Sequence, residues 1–218
     1  MHLVTDRVKG ESSGTPGPRR TRRDQARETR ERIIAAAHRS FVERGYHGAR
    51  MADIAEAAGV AVQTLYFNFR SKPELLRACF DHAVLGPDQL PPPLQPWWQD
   101  MLAAPDGPAL VARFVAGNAA ILARVGSLED VVRAAGHEPE VRAVHVETER
   151  LRREGYEVVI AALAKFGLQP GLSRERATDL LLTLAGPSVY ASLVADYGWP
   201  DKQFVTWQTA ALIRLLLP

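Results

Sequence analysis

Between Arg50 and Lys72 the chain sets out side chains that can read and hold nucleic acid. The Gln63 amide can pair with adenine N7 and N6, and Ala61, Val62 and Phe67 offer apolar surface to a thymine methyl. Tyr66 and Asn68 carry polar ends suited to phosphate oxygens, and Thr64 adds a hydroxyl. Lys72 follows Ser71 at a helix start, where an ammonium and unpaired backbone N–H groups together make a phosphate site. Nothing comparable points to catalysis. A nucleophile–base pair, a metal set and a phosphate loop are all missing from the sequence, so an enzyme is not expected. His137 and His145 lack a ligand spacing such as H-E-x-x-H, so neither metal nor cofactor is expected.

Helices must position these groups. Ile54, Ala55 and Ala58 form a small apolar stripe, and Gly59 can take the positive φ that ends a short helix in a tight turn. Val60 resumes the apolar side, and Leu65 and Phe69 continue it. At about 100° per residue, Leu65 and Phe69 define the buried side of a second helix, roughly Val62 to Phe69. Gln63, Thr64 and Phe67 then point away from it, with Val62 and Tyr66 near the boundary. Two helices this short must lean on a third. Ile33, Ala37 and Phe41 supply its stripe, in a helix that starts between Asp24 and Thr29 and stops at Gly45. Ser71 and Glu74 read as a capping box that opens a linking helix over 71–85. The arrangement is a helix-turn-helix, whose second helix enters the DNA major groove.

The residues D-I-A-E-A-A-G-V from Asp53 to Val60, T-L-Y at Thr64 to Tyr66, Phe69, and S-K-x-x-L-L at Ser71 to Leu76 resemble the tetracycline-repressor (TetR) family. Phe41, Gly45 and Tyr46 match the end of that family's preceding helix. The resemblance covers roughly residues 29 to 80 and combines residue types with spacings at many positions. It implies that Ala61, Val62, Gln63, Tyr66, Phe67 and Asn68 face DNA and that Lys72 meets the phosphate backbone. One position departs. The family often starts its second helix with a threonine that caps it and meets a phosphate, whereas this chain has Arg50-Met51. Arg50 can replace the phosphate contact by charge, but it leaves the cap unfilled.

Charge follows the same division. Residues 1–80 carry 15 Lys and Arg against 9 Asp and Glu, a balance of +6, while residues 81–218 carry 12 against 16, or −4. A basic head over a helix-turn-helix is what a polyanion requires. Residues 1–23 are rich in Gly, Ser, Pro and Arg and are expected to form a disordered basic arm carrying Arg19, Arg20, Arg22 and Arg23. The DNA-binding domain is then expected over 24–70, and a ligand-binding and dimerisation domain over 71–218. The single Cys79 excludes an intrachain disulfide and reads as a packed thiol. No unbroken apolar run approaches the roughly 18 residues of a membrane span, and the start MHLVTDRVKG lacks a signal-peptide core. A cytoplasmic protein with no membrane partner is expected.

An all-α fold is expected, with helices downstream over 109–125, a short one to Ala135, 139–166, Ser173 to Tyr197 with a break at Gly186-Pro187, and 202–217. Residues 86–108 hold 7 of the 15 prolines, and the adjacent Trp97 and Trp98 within them are expected to fold back onto the C-terminal domain. Polar Asn118, His145 and Thr148 interrupt apolar stripes. With Trp98, Met101, Phe114 and Leu122 they describe a pocket for a small hydrophobic or amphipathic effector. The competing reading is an ordinary core whose polar groups bond to backbone. The last two helices carry more apolar surface than a monomer needs, which points to a homodimer. Taken together, the residues predict a homodimeric repressor of a palindromic site in double-stranded DNA. The alternatives are an architectural or effector-free DNA binder and a small helical enzyme.

Overall fold

Thr21 opens the first helix, α1 (Arg22–Gly48), through a reciprocal cap. Its Oγ1 accepts from the Asp24 N–H at 3.2 Å, and the Asp24 carboxylate accepts from the Thr21 N–H at 3.1 Å. The computed structural model describes residues 21–218, so Arg19, Arg20 and the rest of the expected arm lie outside the described residues. Arg22 and Arg23, expected in the arm, form the first turn of α1. At the far end Gly45 takes φ 68° where the stop was expected, yet helical bonding resumes to Gly48. Tyr46 is thereby carried back against Phe41, their rings stacked 6.2 Å apart.

α2 (Met51–Ala57) and α3 (Val62–Asn68) are joined through Gly59 at φ 65°, a conformation any side chain would strain. α4 (Lys72–Leu85) begins at Ser71, whose hydroxyl accepts from the Glu74 N–H. The returning half of that cap is shifted by one residue, because Glu74 accepts from the Arg70 N–H at 2.9 Å. Ile33, Phe41, Ile54, Leu65, Phe69 and Leu76 from these four helices are fully buried together. Each such side chain contributes about 1.5–3 kcal/mol through its removal from water. The same cluster continues into Leu128, Val131 and Val141, so the head rests directly on the body.

The body comprises α5 (Pro96–Leu102), α6 (Gly107–Ala134), α7 (Pro139–Leu163), α8 (Arg174–Leu184), α9 (Pro187–Tyr190) and α10 (Asp201–Leu216). A π-helical turn over Ala191–Asp196 extends α9. The fold is all-α, with no strand among the described residues. α6 is one helix where two were expected. Buried Val125, Leu128, Val131 and Val132 carry its apolar stripe past Ser127, so packing overrides a local start signal. α6 is the axis of the molecule, packed against α1, α4, α5, α7, α9 and α10. Trp97 lies on Gly117 of α6, where a Cβ would come within 2.1 Å of the indole, so this approach needs glycine. Trp98 and Met101 are buried beside it, as the paired tryptophans predicted.

Two stretches, Gly107–Ala134 and Arg174–Asp196, have mean hydropathies of 1.4 and 1.3 over an 18-residue window, long and apolar enough by composition to cross a membrane. That differs from the expectation that nothing approached a span. The second is interrupted at Gly186-Pro187 and so is not one rod. The first is the core helix on which the others pack.

Candidate DNA-binding surface and effector cleft

α3 has two unlike faces. Leu65, together with Phe69 just past its end, is fully buried, while Phe67 is 90% exposed, Tyr66 48% and Val62 42%. Ala61 and Gln63 are also exposed. A short helix that turns a phenylalanine and a tyrosine into solvent beside a glutamine presents a contact surface, since isolated packing would hide them. Cations border it. The Arg30 guanidinium lies 4.3 Å above the Phe69 ring, and Arg50 and Arg70 are exposed. Arg50 precedes α2 without a side-chain cap, as its type predicts.

Two members of the predicted set are otherwise engaged. Asn68 Nδ2 donates to the Thr64 carbonyl at 2.8 Å, so both residues are half-buried and the amide turns back on its own helix. Lys72 Nζ donates to the Tyr46 and Ala49 carbonyls at 2.8 and 3.2 Å and sits 4.5 Å above the Tyr46 ring. It fastens α4 to the end of α1 with two of its three protons, leaving one for a phosphate. Burial lowers its pKa, and the nearby Glu138 charge opposes that.

The predicted effector residues separate into groups. Trp98, Met101 and Phe114 belong to the body core, where Phe114 meets Tyr156 edge-on at 5.3 Å. Asn118 is buried next to them, and Leu122 packs with Tyr190 and Phe204 in a small separate cluster. His145 and Thr148 were expected to converge with Phe114 and Asn118, and they do not. α6 and α7 run antiparallel in a register that sets Tyr156 against Asn118, and His145 against Glu129 at 4.0 Å. Thr148 donates its hydroxyl to the Val144 carbonyl at 2.9 Å within its own helix.

His145 instead lines a cleft of about 740 Å³ between α6, α7 and the α8–α9 junction, with Glu129, Arg133, Glu149, Arg152 and Pro187. Its size falls in the usual range for small-molecule sites, about 300–1,000 Å³, but its wall is far more charged than expected. Arg152 pairs with Glu149 and donates to the Leu182 carbonyl at 2.8 Å. The Glu129 side chain is only 12% exposed, and burial raises its pKa against the opposing pull of His145. No spacing along a single helix marks the cleft, because its charged residues converge from α6, α7 and α8. A second cleft of about 410 Å³ lies by Trp97, between Arg113 and Arg124.

Residues 33–79 match the bacterial regulatory proteins of the tetR family. Over 63 residues the chain is 48% identical to the HTH-type transcriptional regulator TtgR of Pseudomonas putida, covering 29% of this chain and 30% of that protein. It is 42% identical over 76 residues to the HTH-type transcriptional activator FasR of Mycolicibacterium smegmatis, covering 35% of each. The matched region thus spans only about a third of these relatives. The fold extends further. NalD, the secondary repressor of the MexAB-OprM multidrug efflux pump in Pseudomonas aeruginosa, superposes with a TM-score of 0.66 at 18% identity, over 88% of this chain and 98% of that one. FadR from Bacillus subtilis, solved with stearoyl-CoA, superposes with a TM-score of 0.64 at 18% identity, over 84% and 97%. These relatives are transcriptional regulators by name; the likeness of this chain to the tetR family covers residues 33–79, its helix-turn-helix head, and beyond that what it shares with the solved regulators is the helical fold.

Proposed function

We propose that the protein is a homodimeric repressor that holds a palindromic operator and releases it when a small molecule enters the α6–α7–α8 cleft. The observation that carries the reading is the two-faced α3, with Leu65 fully buried and Phe67 90% exposed. Gln63, Thr64 and Phe67 would read bases, with Ala61, Val62 and Tyr66 alongside, while Arg50, Lys72 and Asn68 would border the phosphates. Residues 24–70 then act as the DNA-binding domain and 71–218 as the effector and dimerisation domain. A protein that reads chromosomal DNA acts in the cytoplasm.

A second copy would pair through the helices after residue 173. The ridge of Phe204, Gln208, Leu212 and Leu216 on α10 is spent inside the chain, so less apolar surface remains than the sequence implied. What remains outward is Tyr197 at 72%, Leu215 at 43% and Trp207 at 36% exposed, with Trp199 edge-on to Trp207 at 6.0 Å. This strip supports a two-fold contact.

The cleft wall favours an amphipathic effector with a charged or strongly polar group, in place of a purely hydrophobic one. α4 is tied to both walls. The Arg124 side chain of α6 donates to the Ala83 carbonyl at 2.7 Å, and Arg77 lies 4.0 Å from Glu147 of α7. A ligand that prefers a different α6–α7 spacing would therefore move the heads. Equal affinity for both spacings would move nothing. NalD is described as a repressor of a multidrug efflux pump and FadR was solved with stearoyl-CoA, so neither identifies this effector.

Selection of bound sequences from a random duplex pool tests the reading. Recovery of an inverted repeat, bound two chains per site, is the expected result. An asymmetric half-site bound by one chain overturns the homodimer, and no enrichment overturns the operator reading.

A further inference from the structure

We propose that His47, His137 and Glu138 form a binding site for a divalent transition-metal ion, which fastens the DNA-binding head to the helical body. Each residue offers one ligand atom, and the three atoms lie within 4.8 Å of one another. Both imidazoles converge on a single oxygen, with His47 Nε2 at 3.7 Å and His137 Nε2 at 3.6 Å from Glu138 Oε1. Tetrahedral zinc bonds at about 2.0–2.1 Å, which sets its ligand atoms about 3.3 Å apart. Small rotations of these accessible side chains close the difference. Two imidazoles and a carboxylate, with water in the fourth position, select zinc, nickel or cobalt over calcium and magnesium, which take oxygen ligands.

The surroundings differ from those of a chance surface ion pair. Glu138 is the residue that precedes α7, yet its side chain does not cap that helix. The carboxylate turns to the histidines instead. His47 rests edge-on against the buried Tyr46 ring at 5.6 Å, and the two imidazoles stack at 5.8 Å. No ligand spacing in the sequence announces the set, because its histidines come from separate parts of the chain.

That separation gives the site a consequence. His47 lies past Gly45 at the end of α1, whereas His137 and Glu138 lie in the turn between α6 and α7. The ion can be chelated by all three only when head and body stand as they do here, so binding favours this arrangement over others. Glu138 also acts electrostatically on Lys72, and a bound cation would weaken that influence beside the DNA-binding surface. The site rests on geometry alone. Its effect on operator affinity rests on the proposed repressor reading.

The test uses the full chain, stripped by chelator and titrated with Zn²⁺ by calorimetry and with Co²⁺ by visible absorption. One ion per chain is expected, with the Co²⁺ spectrum of a tetrahedral site. His47→Ala and His137→Ala should each weaken Zn²⁺ binding by about tenfold or more, as loss of a ligand does, and His145→Ala should not. At one Zn²⁺ concentration, the melting temperature of the wild type should rise by more than that of His47→Ala. Equal Zn²⁺ affinity in the wild type and both histidine variants overturns the site, as does an absence of binding at micromolar Zn²⁺. Zn²⁺ that binds at these residues without altering operator affinity overturns the coupling. A chain that titrates normally with Zn²⁺ yet binds no operator overturns the repressor reading and leaves the site intact.

Discussion

Asn118 and Tyr156 meet over one carbonyl. Asn118 Nδ2 lies 3.0 Å from the Ala185 oxygen and Tyr156 Oη 2.8 Å from it, and Oη is also 3.0 Å from Asn118 Oδ1. The single phenolic proton serves one of its two acceptors at a time. Ala185 lies where α8 ends before Gly186-Pro187, and such a terminus leaves carbonyls without helical partners. Side chains meet them: Arg152 donates to Leu182, Gln208 to Leu184, and Asn118 to Ala185. The break is thus held from α6, α7 and α10, and the amide read as an effector contact is committed to it.

Replacing Asn118 with leucine should therefore destabilise the protein by about 1–3 kcal/mol, the cost of leaving buried polar groups without partners. For a chain of this length that is a fall of about 2–4 °C in Tm per kcal/mol. Tyr156→Phe should cost less, because Asn118 still serves the Ala185 carbonyl. Urea unfolding of the two variants measures both. Wild-type stability in Asn118→Leu would show that the amide does not hold the break.

On the proposed DNA-binding reading, the head should separate specificity from affinity. Gln63→Ala should relax base preference at one position by about 1–3 kcal/mol, while Lys72→Ala should weaken all sequences alike and lower the salt slope by about 1. Lys72→Ala should also lower Tm, since the Tyr46 and Ala49 carbonyls lose their donor. Binding measured across a salt series, with melting curves on the same samples, tests both roles. An unchanged salt slope with a lowered Tm would make Lys72 a structural tie only.

Cys79 should resist thiol reagents in the native state. It is 1% exposed, its sulfur lies 3.7 Å from the Ile34 carbonyl, and burial pushes its pKa up to about 12. The thiolate is the reactive form, so modification should proceed only at the rate of unfolding. Stoichiometric labelling without denaturant would contradict this.

The head was legible because its signals are local. Gly59, Ser71 and the Leu65–Phe69 stripe each fix a turn, a cap or a face within one or two helical turns, and the structure follows them. The body was less so, for a reason of register. Val111, Phe114, Val141, Val144 and Val159 do face inward as their spacing predicts, whereas Leu151 of the same α7 stripe is 46% exposed. Spacing along one helix also does not say which residue of the next lies opposite. Asn118 therefore met Tyr156 in place of His145. The α10 ridge shows the same limit, since Phe204, Leu212 and Leu216 look alike in sequence whether they face a partner or their own core.

Glu129 supplies a pH dependence with a definite sign. Burial raises its folded pKa above the ordinary carboxylate value, with His145, Arg152 and Arg133 opposing and Glu149 reinforcing. A group whose folded pKa is raised binds its proton more tightly in the native state than in the unfolded chain. Its contribution to stability is therefore complete below the unfolded pKa, about 4.3, and is lost as pH rises through the folded value. At neutral pH the buried carboxylate costs stability. Glu129→Gln removes that charge while keeping the shape, so its Tm should exceed the wild type's at pH 7.5, and the gain should shrink to nothing near pH 4. Melting curves of both proteins across this range supply the measurement. A wild type that is the more stable at neutral pH would mean that attraction from His145, Arg152 and Arg133 outweighs the burial cost. Glu129 would then be a paired anion, and the cleft would offer an incoming ligand no uncompensated negative charge.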